Sequence, residues 1–138
     1  RVFVTASNLA STRARVRVAN KPAWERFVQG IEAAPRRLDT SDPKPVPGPR
    51  SVAANNRIFQ DTMNRSEQIG QAVQGLSLAH LLAGNPEHCA EGKRLLLLLA
   101  SWDPNGPTHR RRHDPAFRSI MRALTRGYDW LRGSGCLT

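Results

Sequence analysis

The chain has 138 residues, a formal net charge of +10, 39% hydrophobic residues and only 6% aromatic ones. That length argues for one domain, and no run of about 18 apolar residues exists to cross a membrane. The charge, carried mostly by arginine, favours nucleic acid, anionic lipid or acidic polysaccharide as a partner, or else marks a solvated arginine-rich surface with no ligand.

In chain order, Val2, Phe3 and Val4 form a short extended piece and Thr5 is placed to cap a helix. That helix is expected from Ala6 to about Val18, with Leu9 and Val16 inward and Arg13, Arg15 and Arg17 largely outward. Asn20-Lys21-Pro22 breaks it, and Pro22 opens a second helix with Trp24, Phe27, Val28 and Ile31 on one stripe. Trp24 there reads as core rather than as a ligand platform. Pro35 ends the second helix. Prolines at 43, 45, 47 and 49 then hold the chain extended as a strut, or, as a lesser reading, as an SH3-type ligand. The strut delivers Asn55, Asn56, Arg57, Phe59 and Gln60 to the next element, as anion contacts or as loop caps.

The strongest pattern follows. Ile69, Val73, Leu76 and Leu82, with Ala72, Ala79 and Ala83 beside them, keep the helical period. Asn64 or Ser66 is placed to cap its start, and Gly84 then Pro86 mark its end. Asn85 and Pro86 open the next helix, whose leucines at 95–99 are apolar on every side, so that it should be buried over most of its surface. The short connection makes the pair an antiparallel hairpin whose second arm lies deep inside something larger. Asp103-Pro104-Asn105-Gly106-Pro107 is a turn, and His109 to His113 a basic loop holding Arg110, Arg111 and Arg112. Asp114 and Pro115 open a last helix with an apolar stripe of Phe117, Ile120, Met121, Leu124, Tyr128 and Leu131. Arg118, Arg122 and Arg126 recur on a different face, as a solvated row or a ligand-binding one, and Gly133 or Gly135 ends the helix.

Residues that carry chemistry are sparse. His109 and His113 have no acid or third ligand between them, and His80 reads as a structural histidine near an apolar stripe. Cys89 and Cys136 show no repeated spacing, so the sequence implies neither a disulfide framework nor a zinc pattern. No Gly-rich phosphate loop occurs, and basic residues without interleaved aromatics argue against nucleic acid. Arg1 as the first residue and the loop-like stretch 133–138 suggest one piece of a longer protein.

The order of elements carries a resemblance. Val2-Phe3-Val4-Thr5 with Leu9, then Trp24-Glu25-Arg26-Phe27, resembles the opening of the heparinase II/III-like polysaccharide lyases. Leu82-Ala83-Gly84-Asn85-Pro86, Ala100-Ser101-Trp102-Asp103 and Gly127-Tyr128-Asp129-Trp130-Leu131 are similar to that family's helical pattern, and most of all to its exolytic oligoalginate lyases. The resemblance implies an α/α toroid followed by β-sandwich domains, and cleavage of uronic-acid polysaccharides by β-elimination. In such enzymes, fixed donors neutralise the carboxylate and a tyrosine and a histidine move the proton.

The resemblance places those two residues beyond Thr138, so no catalytic residue is expected in this chain and Tyr128 is expected to be packing. The family's zinc lies in later domains, so no metal or other cofactor is assigned. An arginine before the central hairpin binds substrate in alginate-degrading relatives. Gln60 falls at that position here, with Arg57 and Arg65 close by.

The expected fold is therefore all-α: helical hairpins forming the first part of an incomplete toroid. Residues 1–37 would form a first helix pair, 38–56 a proline-rich linker, and 57–138 the central hairpin plus a third helix. Arg57, Gln60, Asn64 and Arg65 are the expected substrate-binding residues, with Arg118 a lesser one. The expected partners are an acidic polysaccharide or oligosaccharide (alginate-like first, heparin-like second) and the remainder of the same polypeptide, without nucleic acid or a membrane span. A periplasmic or secreted location follows, with the cytoplasm as the alternative for an oligosaccharide lyase. The competing readings are a stand-alone basic helical module that binds a polyanion without chemistry, and a purely structural fragment whose charge is incidental.

Overall fold

The computed structural model describes residues 4, 5 and 7–137. The extended piece expected at Val2 and Phe3 and the helix start expected at Ala6 lie outside them. Among the described residues every regular element is helical: α1 (Leu9–Arg17), α2 (Lys21–Ala33), a 3-10 turn (Pro35–Arg37), α3 (Ala53–Ala83), α4 (Pro86–Ser101) and α5 (Asp114–Gly133). The all-α expectation holds. No described helix is long and apolar enough to cross a membrane.

The spine is α3, which begins at Ala53 and not at Asn64 or Ser66. Its buried positions Asn55, Phe59, Thr62, Ser66, Ile69, Val73 and Leu76 alternate four- and three-residue steps, which keeps one face inward over the whole run. Three members of that stripe are polar, so an apolar count detects the helix only from Ile69 onward. Two of the three are satisfied locally: Asn55 Nδ2 donates to the Pro49 carbonyl at 3.0 Å and Ser66 Oγ to the Thr62 carbonyl at 2.7 Å. Gly84 closes α3 in the left-handed region at φ 76°, donating its N–H to the His80 carbonyl. Asn85 then caps α4 as expected, its Oδ1 accepting the Glu87 N–H at 2.9 Å.

Helices α3, α4 and α5 make an up-down-up bundle. Phe59 meets His113 near the starts of α3 and α5, while a Cβ on Gly70 or Gly127 would touch Ala123 or Val73 further along, so these two helices run parallel. Gly70, Ser77, Ala123 and Gly127 form a seam of small residues. A Cβ at Gly127 would lie 2.5 Å from Val73 Cγ1, and it is the missing Cβ that lets the helices approach so closely. The core is built around Ile69, Val73, Leu76, Leu95, Leu96, Leu99, Trp102, Ile120 and Leu131, with Ala72 and Ala123 between them.

Several expectations are corrected here. The leucine run is not buried on every side: Leu95, Leu96 and Leu99 are buried and Leu98 is half-buried, but Leu97 is exposed because it points away from α3 and α5. On α5 the buried stripe is Ala116, Ile120, Ala123, Gly127 and Leu131. Met121 and Tyr128 fall on its exposed edge, so Tyr128 is half-exposed and not core packing. Cys89 and Cys136 form a disulfide across a sequence separation of 47. Spacing could not reveal it, because the pairing depends on the turn after α5. There Gly135, at φ 78°, lets Cys136 donate its N–H to the Leu131 carbonyl and brings the tail back to α4.

The α1–α2 pair rides on the far end of α3. Arg13, expected to point outward, donates from both Nε and Nη2 to the Leu81 carbonyl at 3.2 and 2.8 Å, so it satisfies a terminal carbonyl of α3. Phe27 and Ile31 lie against Gly75, and Trp24 and Phe27 pair with ring centroids 5.4 Å apart. The stripe on α2, Trp24, Phe27, Val28 and Ile31, is half-buried rather than core. His88 Nε2 and Glu32 Oε1, 2.9 Å apart, join α4 to α2.

Candidate anion-binding site

Residues 38–52 form the strut, which returns along α3 from the end of α2 and is fastened at both ends. At its start Arg65 reaches out from α3 to Asp39 Oδ2 at 2.6 Å and donates to the backbone carbonyl and the hydroxyl of Ser41 at 2.8 and 2.7 Å. Hydrogen bonds from the Ser41 hydroxyl and amide, and then the charges of Arg65 and Lys44, hold the Asp39 carboxyl below the ordinary aspartate value.

At its far end the strut is locked by a stack of rings. His113 caps α5, with Nδ1 accepting the Ala116 N–H at 3.3 Å. Its Nε2–H therefore donates to the Phe59 carbonyl at 2.8 Å, so one neutral tautomer satisfies both contacts. With both nitrogens engaged, His113 has none left for a metal. Its ring lies 3.7 Å from that of Phe59 at an interplanar angle of 6°, and the guanidinium of Arg50 covers the remaining face of Phe59 at 4.4 Å.

Between the end of the strut and the loop 103–112 lies a cleft of about 480 Å³, with Pro45, Pro49 and Pro107 as apolar walls and Arg50 and Arg112 as its charged groups. A second cleft of about 500 Å³ adjoins it and shares Pro45, Pro107 and Arg112. Asp42 and Asp103 line this second cleft, so its charge is mixed while the first is cationic. Arg110 and Arg111 stand exposed on the same loop. Two guanidinium forks beside apolar rings suit a planar carboxylate on a ring-shaped ligand: the forks hold the charge and the prolines cover the flat face. Nothing in this cleft pairs a base with an acid.

The five residues singled out from sequence are divided by the fold. Arg57, Gln60 and Asn64 share one exposed face of α3, at three- and four-residue spacing, and have no side-chain hydrogen bond or ion pair among the described residues. That face points away from Phe59 and so away from the cleft, because positions 57 and 59 stand on opposite sides of a helix. Arg65 is turned to the strut, its side chain only 18% exposed. Arg118 pairs with Asp114 at 2.7 Å on α5. The residues that the fold does gather, Arg50 and Arg112, were visible only as parts of a strut and of a basic loop. A Phe on the buried face of the helix that follows the strut was the one available sign that a strut arginine had a ring to cover.

No protein-family model matches the chain, and no curated protein is significantly similar to it.

Proposed function

We propose that the chain binds acidic, uronate-containing oligosaccharides, as the N-terminal toroid segment of a polysaccharide lyase that cleaves them by β-elimination. The observation that carries the binding half is the cleft with Arg50 and Arg112 set among proline rings and Phe59. The resemblance of the ordered helical segments to the heparinase II/III-like lyases carries the other half, and the antiparallel α3–α4 hairpin is of the kind an α/α toroid is built from. In this reading alginate-like chains are preferred over heparin-like ones. The exposed face of Arg57, Gln60 and Asn64 is a second contact surface, and Arg65 and Arg118 act on the ligand only through the surfaces they brace. Proton transfer belongs to residues outside this chain. The remainder of the polypeptide would continue the toroid along the exposed edge of α5 that carries Met121 and Tyr128. A disulfide suits a periplasmic or secreted protein.

The test is titration of the chain with oligoalginate and with heparin oligosaccharides, while the ultraviolet absorbance of the unsaturated uronate product is followed. Saturable binding that falls in Arg112→Ala, with no product, supports the reading. Binding that ignores Arg112 would move the site elsewhere, and product formation would place the catalytic groups within these residues. A stand-alone polyanion-binding module is the second reading, favoured by the absence of an acid–base pair in the cleft. It predicts equal affinity for polyphosphate and for oligouronates of matched charge.

A further inference from the structure

A third metal-binding side chain stands beside the disulfide. A ring nitrogen of His80 and the sulfurs of Cys89 and Cys136 lie within 4.8 Å of one another, and all three residues are half-buried. His80 Nδ1 is 2.8 Å from the Asn85 carbonyl oxygen. A carbonyl only accepts, so Nδ1 carries the proton and Nε2 keeps its lone pair, the arrangement that prepares an imidazole to ligate. Cys89 lies near the start of α4, its N–H bonded to the Asn85 carbonyl at 3.3 Å, so the helix fixes where its sulfur stands. Cys136 arrives on the tail turned back by Gly135, and the two Cα atoms are 5.8 Å apart. Sulfurs bound at about 2.3 Å to one tetrahedral ion stand roughly 3.8 Å from each other, a separation that side-chain rotation on the short tail can supply.

We propose that reduction of this disulfide converts the three side chains into a zinc site, with His80 Nε2, Cys89 Sγ and Cys136 Sγ as ligands and a fourth position open to solvent. The electrons come from a dithiol: its two thiols close to a disulfide while the Cys89–Cys136 bond takes up two electrons and two protons. Metal binding then releases both thiol protons and forms two Zn–S bonds and one Zn–N bond. Two thiolates balance the charge of the ion, so the half-buried site gains no net charge, and a soft sulfur set selects Zn²⁺ over Mg²⁺ or Ca²⁺. The tail stays fastened to α4 in either state, by sulfur–sulfur bonding or by the metal. This inference is independent of the cleft and of the lyase reading.

The experiment uses the full chain, reduced with dithiothreitol, desalted without oxygen and titrated with Co²⁺ as a spectroscopic probe, followed by displacement with Zn²⁺. Reduced protein is expected to take up one equivalent, with thiolate-to-cobalt charge-transfer bands and the visible bands of a four-coordinate ion, while the oxidised protein takes up none. His80→Gln is expected to weaken binding beyond the ~10–100-fold that follows loss of a supporting hydrogen bond alone. A second measurement, on unaltered protein, does not depend on a variant folding: bound Zn²⁺ should shield both thiols from alkylation by iodoacetamide. No cobalt uptake by the reduced chain, unchanged affinity in His80→Gln, or undiminished alkylation in the presence of Zn²⁺ would each overturn the proposal.

Discussion

Arg50, Phe59 and His113 show how a few side chains hold a proline strut without regular structure. The histidine caps α5, bonds the backbone of α3 and stacks on the phenylalanine, which in turn carries the arginine. His113→Ala removes a cap and a ring contact together, so a loss of about 1–3 kcal/mol in chemical denaturation is expected. Glycines offer a cleaner contrast. Gly127→Ala sets a methyl 2.5 Å from Val73 Cγ1 and 3.3 Å from Leu96 Cδ1. Overpacking there should cost about 1–3 kcal/mol. Gly133→Ala meets nothing within 4 Å and should leave the denaturation midpoint unchanged or slightly raised, because alanine favours the helix. Equal midpoints for the two variants would show that the α3–α5 seam is not close-packed.

Elements are tied together by fastenings that the sequence displays unevenly. Helix boundaries were legible: Gly84, Asn85 with Pro86, and Asp114 with Pro115 stand where the pattern puts them, although the side chain that caps α5 is that of His113. The first third of α3 was not, because Asn55, Thr62 and Ser66 occupy its buried stripe and an apolar period cannot register polar core residues. Arg13 was misjudged for a related reason, since its value lies in a carbonyl at the end of another helix. The disulfide is the largest such omission, and its loop is long. Constraining a separation of 47 residues should stabilise the chain by about 2–4 kcal/mol. Reduction in metal-free buffer should lower the denaturation midpoint accordingly, and an unchanged midpoint would mean that α5 holds the tail unaided.

The strut makes a prediction in pH. Asp39 has a depressed folded-state value, so its contribution is present above the ordinary aspartate value and is lost as pH falls through the lower folded one. The Ser41 amide resonance, which reports the hydrogen bond to Asp39 Oδ1, should therefore titrate below the ordinary aspartate range. Arg65→Ala should move that midpoint upward. A midpoint at the ordinary value in the unaltered chain would mean that the latch does not form.

At the scale of the whole molecule, helical class and excess positive charge were legible from composition and period, while the place where charge gathers was not. The resemblance to the lyases suggested Arg57 with Gln60 and Asn64, which do share a face. The cleft instead draws Arg50 and Arg112 from two irregular segments that are far apart in sequence, and only the path of the strut brings them together. A surface of this kind should bind by releasing counterions, so affinity for any polyanion falls with salt, whereas recognition of a uronate ring should persist as a preference at every salt concentration.

The most direct test is calorimetric titration of the chain with oligoalginate at several salt concentrations, set beside Arg112→Ala and the double variant Arg57→Ala/Gln60→Ala. The account predicts saturable binding that weakens with salt, a loss of about tenfold in Arg112→Ala (close to 1.4 kcal/mol) and a smaller loss in the α3-face variant. No saturable binding at low salt, or equal affinity in all three proteins, would contradict it.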